Sequence, residues 1–183
     1  MSEEIKEQLI LTIKDITNIK EKLNGEIPIN REELLFFVNS HGRSFDYNKE
    51  IKKSFPNHCY NLSKLDTSKI NNMSSLFRFS NFEGDISNWN TSNVTNMRSL
   101  FYGANKFNSN IGNWNVSNVT NMKGLFFKNQ SFNKNINSWD TSNVVDMSGM
   151  FFEASNFNQT LSWIFKNVLN LPNTTLPLAL GLE

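Results

Sequence analysis

Trp89, Trp114 and Trp139 stand 25 residues apart; Phe82, Phe107, Phe132 and Phe157 keep the same step, as do Met97, Met122 and Met147. A fixed period in the range of about 20 to 50 residues marks stacked copies of one small unit, a solenoid or a propeller, in place of an irregular core. Four units fall within residues 62–163, at 65–88, 89–113, 114–138 and 139–162. The first has Leu65 where the others carry tryptophan, and the fourth reaches Trp163 one residue early. One unit buries about seven apolar side chains, too few to offset the entropy of ordering its own backbone. Neighbouring units and terminal caps must supply the rest.

Within a unit, Ile86, Ile111, Ile136 and Leu161 precede the tryptophan, and Val94, Val119 and Val144 follow it. This spacing predicts a short strand running into a bend, with parallel strands stacking one per repeat. The Met-x-x-Leu/Met-Phe that follows, as in Met122, Leu125 and Phe126, predicts a helical turn or two, because residues i, i+3 and i+4 share a helix face. The fold class expected is therefore an α/β repeat solenoid. Ser92, Ser117 and Ser142, each followed by Asn93, Asn118 or Asn143, fall at the bend, where short polar side chains bond neighbouring backbone. Asn108, Asn133 and Asn158 predict a second such row. Because every unit carries these amides, a structural ladder explains them better than a ligand site.

Two segments precede the array. Residues 1–24 read as an amphipathic helix, with Ile5, Leu9, Thr12, Ile16, Ile19 and Leu23 in heptad spacing. Two arrangements fit: a lid on the chain's own body, or a short coiled coil that oligomerises it. Ile27-Pro28-Ile29 breaks this helix, and residues 25–61 hold an N-terminal cap. There Asn30 and Glu33 form a capping-box pattern ahead of the apolar run Leu34 to Val38, which ends around Ser40-His41-Gly42. Residues 43–61 show no period. Their basic residues Arg43, Lys49, Lys52 and Lys53 read as a solvated loop, and His58-Cys59 lacks the partners of a metal site. After Trp163 the period stops. Ile164, Phe165, Val168, Leu169 and Leu171 predict a short closing helix before Pro172, so residues 164–183 are a C-terminal cap or a truncated tail.

The pattern F-N-x-x-I-x-x-W-[DN]-x-S-N-V-x-x-M-x-x-[LM]-F, repeated across residues 65–163, resembles the 25-residue repeat of the BspA-like bacterial surface proteins. The segment Ile29 to Val38 resembles the helix that precedes such arrays. The resemblance implies a leucine-rich-repeat-like stack of short parallel strands and short helices with an α-helical N-terminal cap. It also implies a non-enzymatic surface or adhesion protein that recognises a protein or glycan. Lys69 in place of asparagine and Val145 in place of threonine depart from the pattern. The first residues, MSEEIKEQLI, lack a basic region, an apolar run and a lipid-accepting cysteine, so the expectation from sequence alone is an intracellular chain, against the cell-surface location of the family.

A ligand would be met by positions that vary outside the buried pattern. Arg78, Tyr102, Phe127 and Phe152 each follow the buried phenylalanine of their unit. The last three form an aromatic stripe that either faces a partner or folds under the next loop as additional core. Trp89, Trp114 and Trp139, with Asn93, Asn118 and Asn143, are assigned to the structural ladder. No nucleophile–base pair, carboxylate pair, metal motif or phosphate loop is present, so no catalysis, cofactor or metal is expected. A net charge of +1 argues against nucleic acid as a partner, and no stretch is apolar enough to span a membrane. A monomer is favoured over a homo-oligomer.

Overall fold

The computed structural model describes residues 28–40, 62–163 and 167–169. The heptad helix of residues 3–23, the basic segment 43–61 and most of the closing segment before Pro172 lie outside the described residues. Helix α1 spans Arg31–Ser40. Asn30 starts it: its Oδ1 accepts the Glu33 N–H at 2.9 Å, and Glu33 Oε2 accepts the Asn30 N–H at 2.9 Å. This reciprocal pair satisfies donors that the first helical turn leaves free. Ile29, Leu34 and Val38 bury into the same core as the repeats.

Successive repeats are bonded backbone to backbone, but not where a strand was expected. The Ile–Trp–Val stretch is closed by local turns, with the Trp89 N–H on the Ile86 carbonyl and the Val94 N–H on that of Thr91. Its donors are thereby used within the unit. The ladder runs instead through the next nine residues, anchored by parallel bridges that pair Asn72 with Asn96, Asn96 with Asn121 and Asn121 with Asp146. In the first unit the N–H groups of Met73, Ser75, Phe77 and Phe79 bond the carbonyls of Asn96, Arg98, Leu100 and Tyr102 in the next unit, at 2.7 to 2.9 Å. The intervening N–H groups, of Leu76, Arg78 and Ser80, turn back to Met73, Ser75 and Phe77. The second and third units repeat this alternation. The helical turn expected at Met122-Leu125-Phe126 is therefore a chain of turns, without an α-helical bond pattern. Its cause is a left-handed residue at every fourth position: φ is +54° to +63° at Ser75 and Phe79, Ser99 and Gly103, Gly124 and Lys128, and Gly149 and Glu153. An α-helix does not propagate through such residues.

Side chains complete the bonding. The amides of Asn93, Asn118 and Asn143 donate to the carbonyls of Ser68, Ser92 and Ser117 one unit back, each at 2.7 Å. The indole N–H groups of Trp89, Trp114 and Trp139 donate to those of Leu62, Ile86 and Ile111. Asn108 and Asn133 carry the second row, each accepting the N–H of the equivalent asparagine one unit on. Other asparagines and aspartates make a different bond. Asn90, Asn96, Asn115, Asn121 and their equivalents accept the N–H two residues ahead, forming Asx turns that bend the chain at fixed corners. The ladder also outlasts Trp163, contrary to the expectation that the period stops there. Trp163 stacks on Trp139, the Asn167 amide donates to the Ser142 carbonyl at 2.7 Å, and the Leu169 N–H bonds Val145 at 2.9 Å. Asn167-Val168 therefore opens a fifth, degenerate unit. It escaped the sequence reading because Ile164, Phe165 and Lys166 replace the Asp-Thr-Ser of the unit before.

The core is aromatic and columnar. Phe77, Phe101, Phe126 and Phe151 stack along the array with centroids 5.5 to 5.6 Å apart. Within each of the later units a second phenylalanine lies against the first, as Phe107 does on Phe101 at 3.8 Å and Phe132 on Phe126 at 4.0 Å. At the first edge, among the described residues, no preceding unit donates to the carbonyls of the opening turn. Arg31 substitutes for it: its Nε donates to the Asn72 carbonyl at 3.0 Å and its Nη2 to that of Ser74 at 2.9 Å. These carbonyls occupy the positions at which Asn96 and Arg98 accept backbone N–H groups in the second unit.

Arg31→Ala leaves both carbonyls without these donors and is expected to lower stability by about 1 to 3 kcal/mol in urea denaturation. Arg31→Lys restores less than half of that loss, since a single ammonium cannot reproduce the guanidinium fork. The Ser68 hydroxyl and N–H hold the Asp66 carboxyl below its ordinary value of 3.8, and the Ser142 hydroxyl and N–H do the same for Asp140. A carboxyl depressed by folding stabilises the fold above its unfolded value and loses that contribution as the pH falls through the lower, folded value. Asp66→Asn with Asp140→Asn keeps the Asx geometry seen at Asn90 and Asn115 but does not titrate. The acid limb of its stability profile below pH 3.8 should accordingly be shallower than that of the parent chain.

Candidate functional site

Beside the core columns a third column lies on the outside of the array. It consists of Tyr102, Phe127 and Phe152, with centroids 4.6 and 4.8 Å apart and planes 8° and 24° from parallel. Tyr102 and Phe127 are half-buried, and Phe152 is 42% exposed. The sequence left open whether this stripe faces outward or tucks under a loop. In the structure Phe127 is stacked between Tyr102 and Phe152, and Phe152, last in the column, is the most exposed of the three. Small residues one unit ahead make room for them. A Cβ on Gly149 would stand 3.3 Å from the Phe127 ring, tighter than an ordinary contact, and the equivalent corner beside Tyr102 is also a glycine, Gly124.

Arg78 occupies the first place in this column and closes its end. Its guanidinium carbon lies 4.8 Å from the Tyr102 ring centroid and 5.2 Å from that of Phe79, itself 53% exposed and edge-on to Tyr102 at 5.1 Å. Such cation–π contacts fix the guanidinium beside the rings. Beside the middle ring, Lys128 sits 5.8 Å from the Phe127 centroid and pairs with Glu153 at 3.5 Å. The stripe borders an open groove of about 680 Å³ whose lining includes Arg78, Arg98, Lys123, Ser75, Ser99 and Gly124. No carboxylate lines it, and Arg78, Arg98 and Lys123 make no ion pair among the described residues.

Of the residues singled out from sequence, the structure brings Arg78, Tyr102, Phe127 and Phe152 together in one column. It places Trp89, Trp114, Trp139, Asn93, Asn118 and Asn143 in the inter-unit bonding. Sequence reasoning missed Phe79, Arg98 and Lys123. A signal for the last two was present, since Arg98 and Lys123 hold the same place after Asn-Met in successive units. Among the described residues no group of His, Cys, Asp and Glu side chains could hold a metal ion. No helix among them is long and apolar enough to cross a membrane.

The left-handed residues set the pitch on which the stripe rests, and Lys128 adopts φ +55° without being glycine. Lys128→Gly removes that backbone strain at the loss of one exposed ion pair, so it is expected to raise stability by about 1 kcal/mol in chemical denaturation.

No curated protein sequence and no solved structure matches this chain. A family described as "Mycoplasma protein of unknown function, DUF285" matches residues 43–164, more than half of the sequence, and the chain belongs to that family.

Proposed function

We propose that this chain is a non-enzymatic recognition module, a leucine-rich-repeat-like solenoid that presents its outer aromatic column and the adjoining groove to a protein or glycan. The observation that carries the reading is the column itself. Tyr102, Phe127 and Phe152 add a row of large rings outside a core that already holds two phenylalanines in each unit. Exposed contiguous apolar surface of this kind marks contact sites, and aromatic and arginine side chains concentrate where binding energy does. The resemblance of the repeat to BspA-like proteins supports an adhesion-type role at a bacterial surface.

The test is binding of the full chain to an immobilised panel of extracellular-matrix proteins and glycans. Replacing Tyr102, Phe127 and Phe152 by serine is expected to reduce binding to the recognised member by about tenfold or more. Phe152→Ser alone, at the most exposed of the three rings, is expected to change stability by no more than about 0.5 kcal/mol while still weakening binding. Unaltered binding by a folded triple variant, or no binding to any panel member, would overturn the reading.

A further inference from the structure

The groove beside the stripe has a chemistry of its own. Arg98 and Lys123 hold the same place in successive units, and Arg78 lies beside them at the head of the ring column, so three cations from three units line the groove. Neighbouring rungs are separated by roughly the 4.6 to 4.8 Å of the ring column beside them. The rings reinforce the positive field, because their faces are taken up by mutual stacking and an aromatic edge is its electropositive part. Facing these groups are hydroxyls on Ser74, Ser75 and Ser99, for which no hydrogen bond is seen among the described residues. With a net charge of only +1 over 183 residues, three cations without an acid among them are a local concentration. The occupant must therefore be anionic and rich in hydrogen-bonding groups.

Three polymers could supply anions, and the geometry separates them. An extended peptide cannot add as a strand along the groove, because the backbone groups beneath are already bonded between units. A single-stranded nucleic acid is held by stacking its bases on aromatic faces, and the two rings that line the groove, Tyr102 and Phe127, are stacked on each other, on Arg78 and on Phe152. A chain of acidic sugars brings carboxylates for the cations and hydroxyls for the serines together. We propose that the groove binds an acidic glycan, a chain of uronate-type sugars, whose carboxylates are met by Arg98 and Lys123 with Arg78 beside them.

This inference rests on the recognition reading above, and one experiment separates the two. Binding of the full chain to a galacturonic acid pentamer is measured by calorimetry beside three controls. They are the methyl-esterified neutral pentamer, a glutamate pentapeptide and a deoxythymidine pentanucleotide. The acid pentamer is expected to bind in a salt-sensitive manner, about tenfold or more tighter than each control. Arg98→Ala with Lys123→Ala, both at exposed positions, is expected to lose about tenfold or more of that affinity without moving the denaturation midpoint. Equal binding of the neutral ester, tighter binding of the peptide or nucleotide, an undiminished double variant, or no binding of the acid pentamer would each overturn the assignment. If the acid pentamer fails while a panel protein or neutral glycan still depends on Tyr102, Phe127 and Phe152, only the acidic-glycan inference falls. If nothing on the panel binds, the recognition reading falls with it.

Discussion

The inter-unit ladder through Met73–Phe79 and its equivalents is what the other features depend on. A backbone that alternates local turns with bonds to the next unit leaves few donors or acceptors for water or for a long helix. Such complete use of backbone polar groups is what burial demands. It also makes every interior unit dependent on a neighbour at each face. Among the described residues the first unit has no predecessor, and Arg31 supplies two donors at that edge from the start of α1. Helix α1 thus closes the edge with a side-chain fork as well as covering the core with Ile29, Leu34 and Val38. At the far edge the chain begins a fifth unit at Trp163 and Asn167-Val168 before the regular pattern fades.

The same ladder explains the outer column. Bonding successive units at a strand-like spacing brings equivalent side chains into near-contact, so one aromatic position repeated in three units becomes a stack of rings. Ser99, Gly124 and Gly149 occupy the left-handed corners beside these rings, and their small size lets each ring pass over the unit ahead. The cations of the groove obey the same arithmetic. Arg98 and Lys123 are ordinary exposed residues singly, and they become a row because the fold repeats their position.

Much of this was readable from the residues. The period, the tryptophan and phenylalanine columns and the asparagine amides follow from spacing alone, because an identical side chain at an identical phase meets its own copy in any stack. The secondary structure within a unit was not readable. Met122, Leu125 and Phe126 have helical spacing, yet Gly124 and Lys128 take left-handed φ and turn the backbone donors toward the neighbouring unit. Periodicity reports which side chains point inward, and a curled chain of turns can satisfy the same pattern as a helix. The fifth unit was missed for a related reason, since Asn167 and Val168 keep their places while the residues before them do not.

By itself the sequence determined that this chain repeats, which side chains recur in phase to build its core, and that the asparagine rows at Asn93 and Asn108 are structural. These are consequences of residue type and phase. Only the tertiary structure decided which backbone segment carries the ladder, that Arg31 stands in for a missing unit, and that Phe79, Arg98 and Lys123 join the surface around the aromatic column. Each of these depends on the direction in which donors and side chains leave the backbone. That direction is set by φ at a few corner residues and by contact between units, neither of which is written in the spacing of the letters.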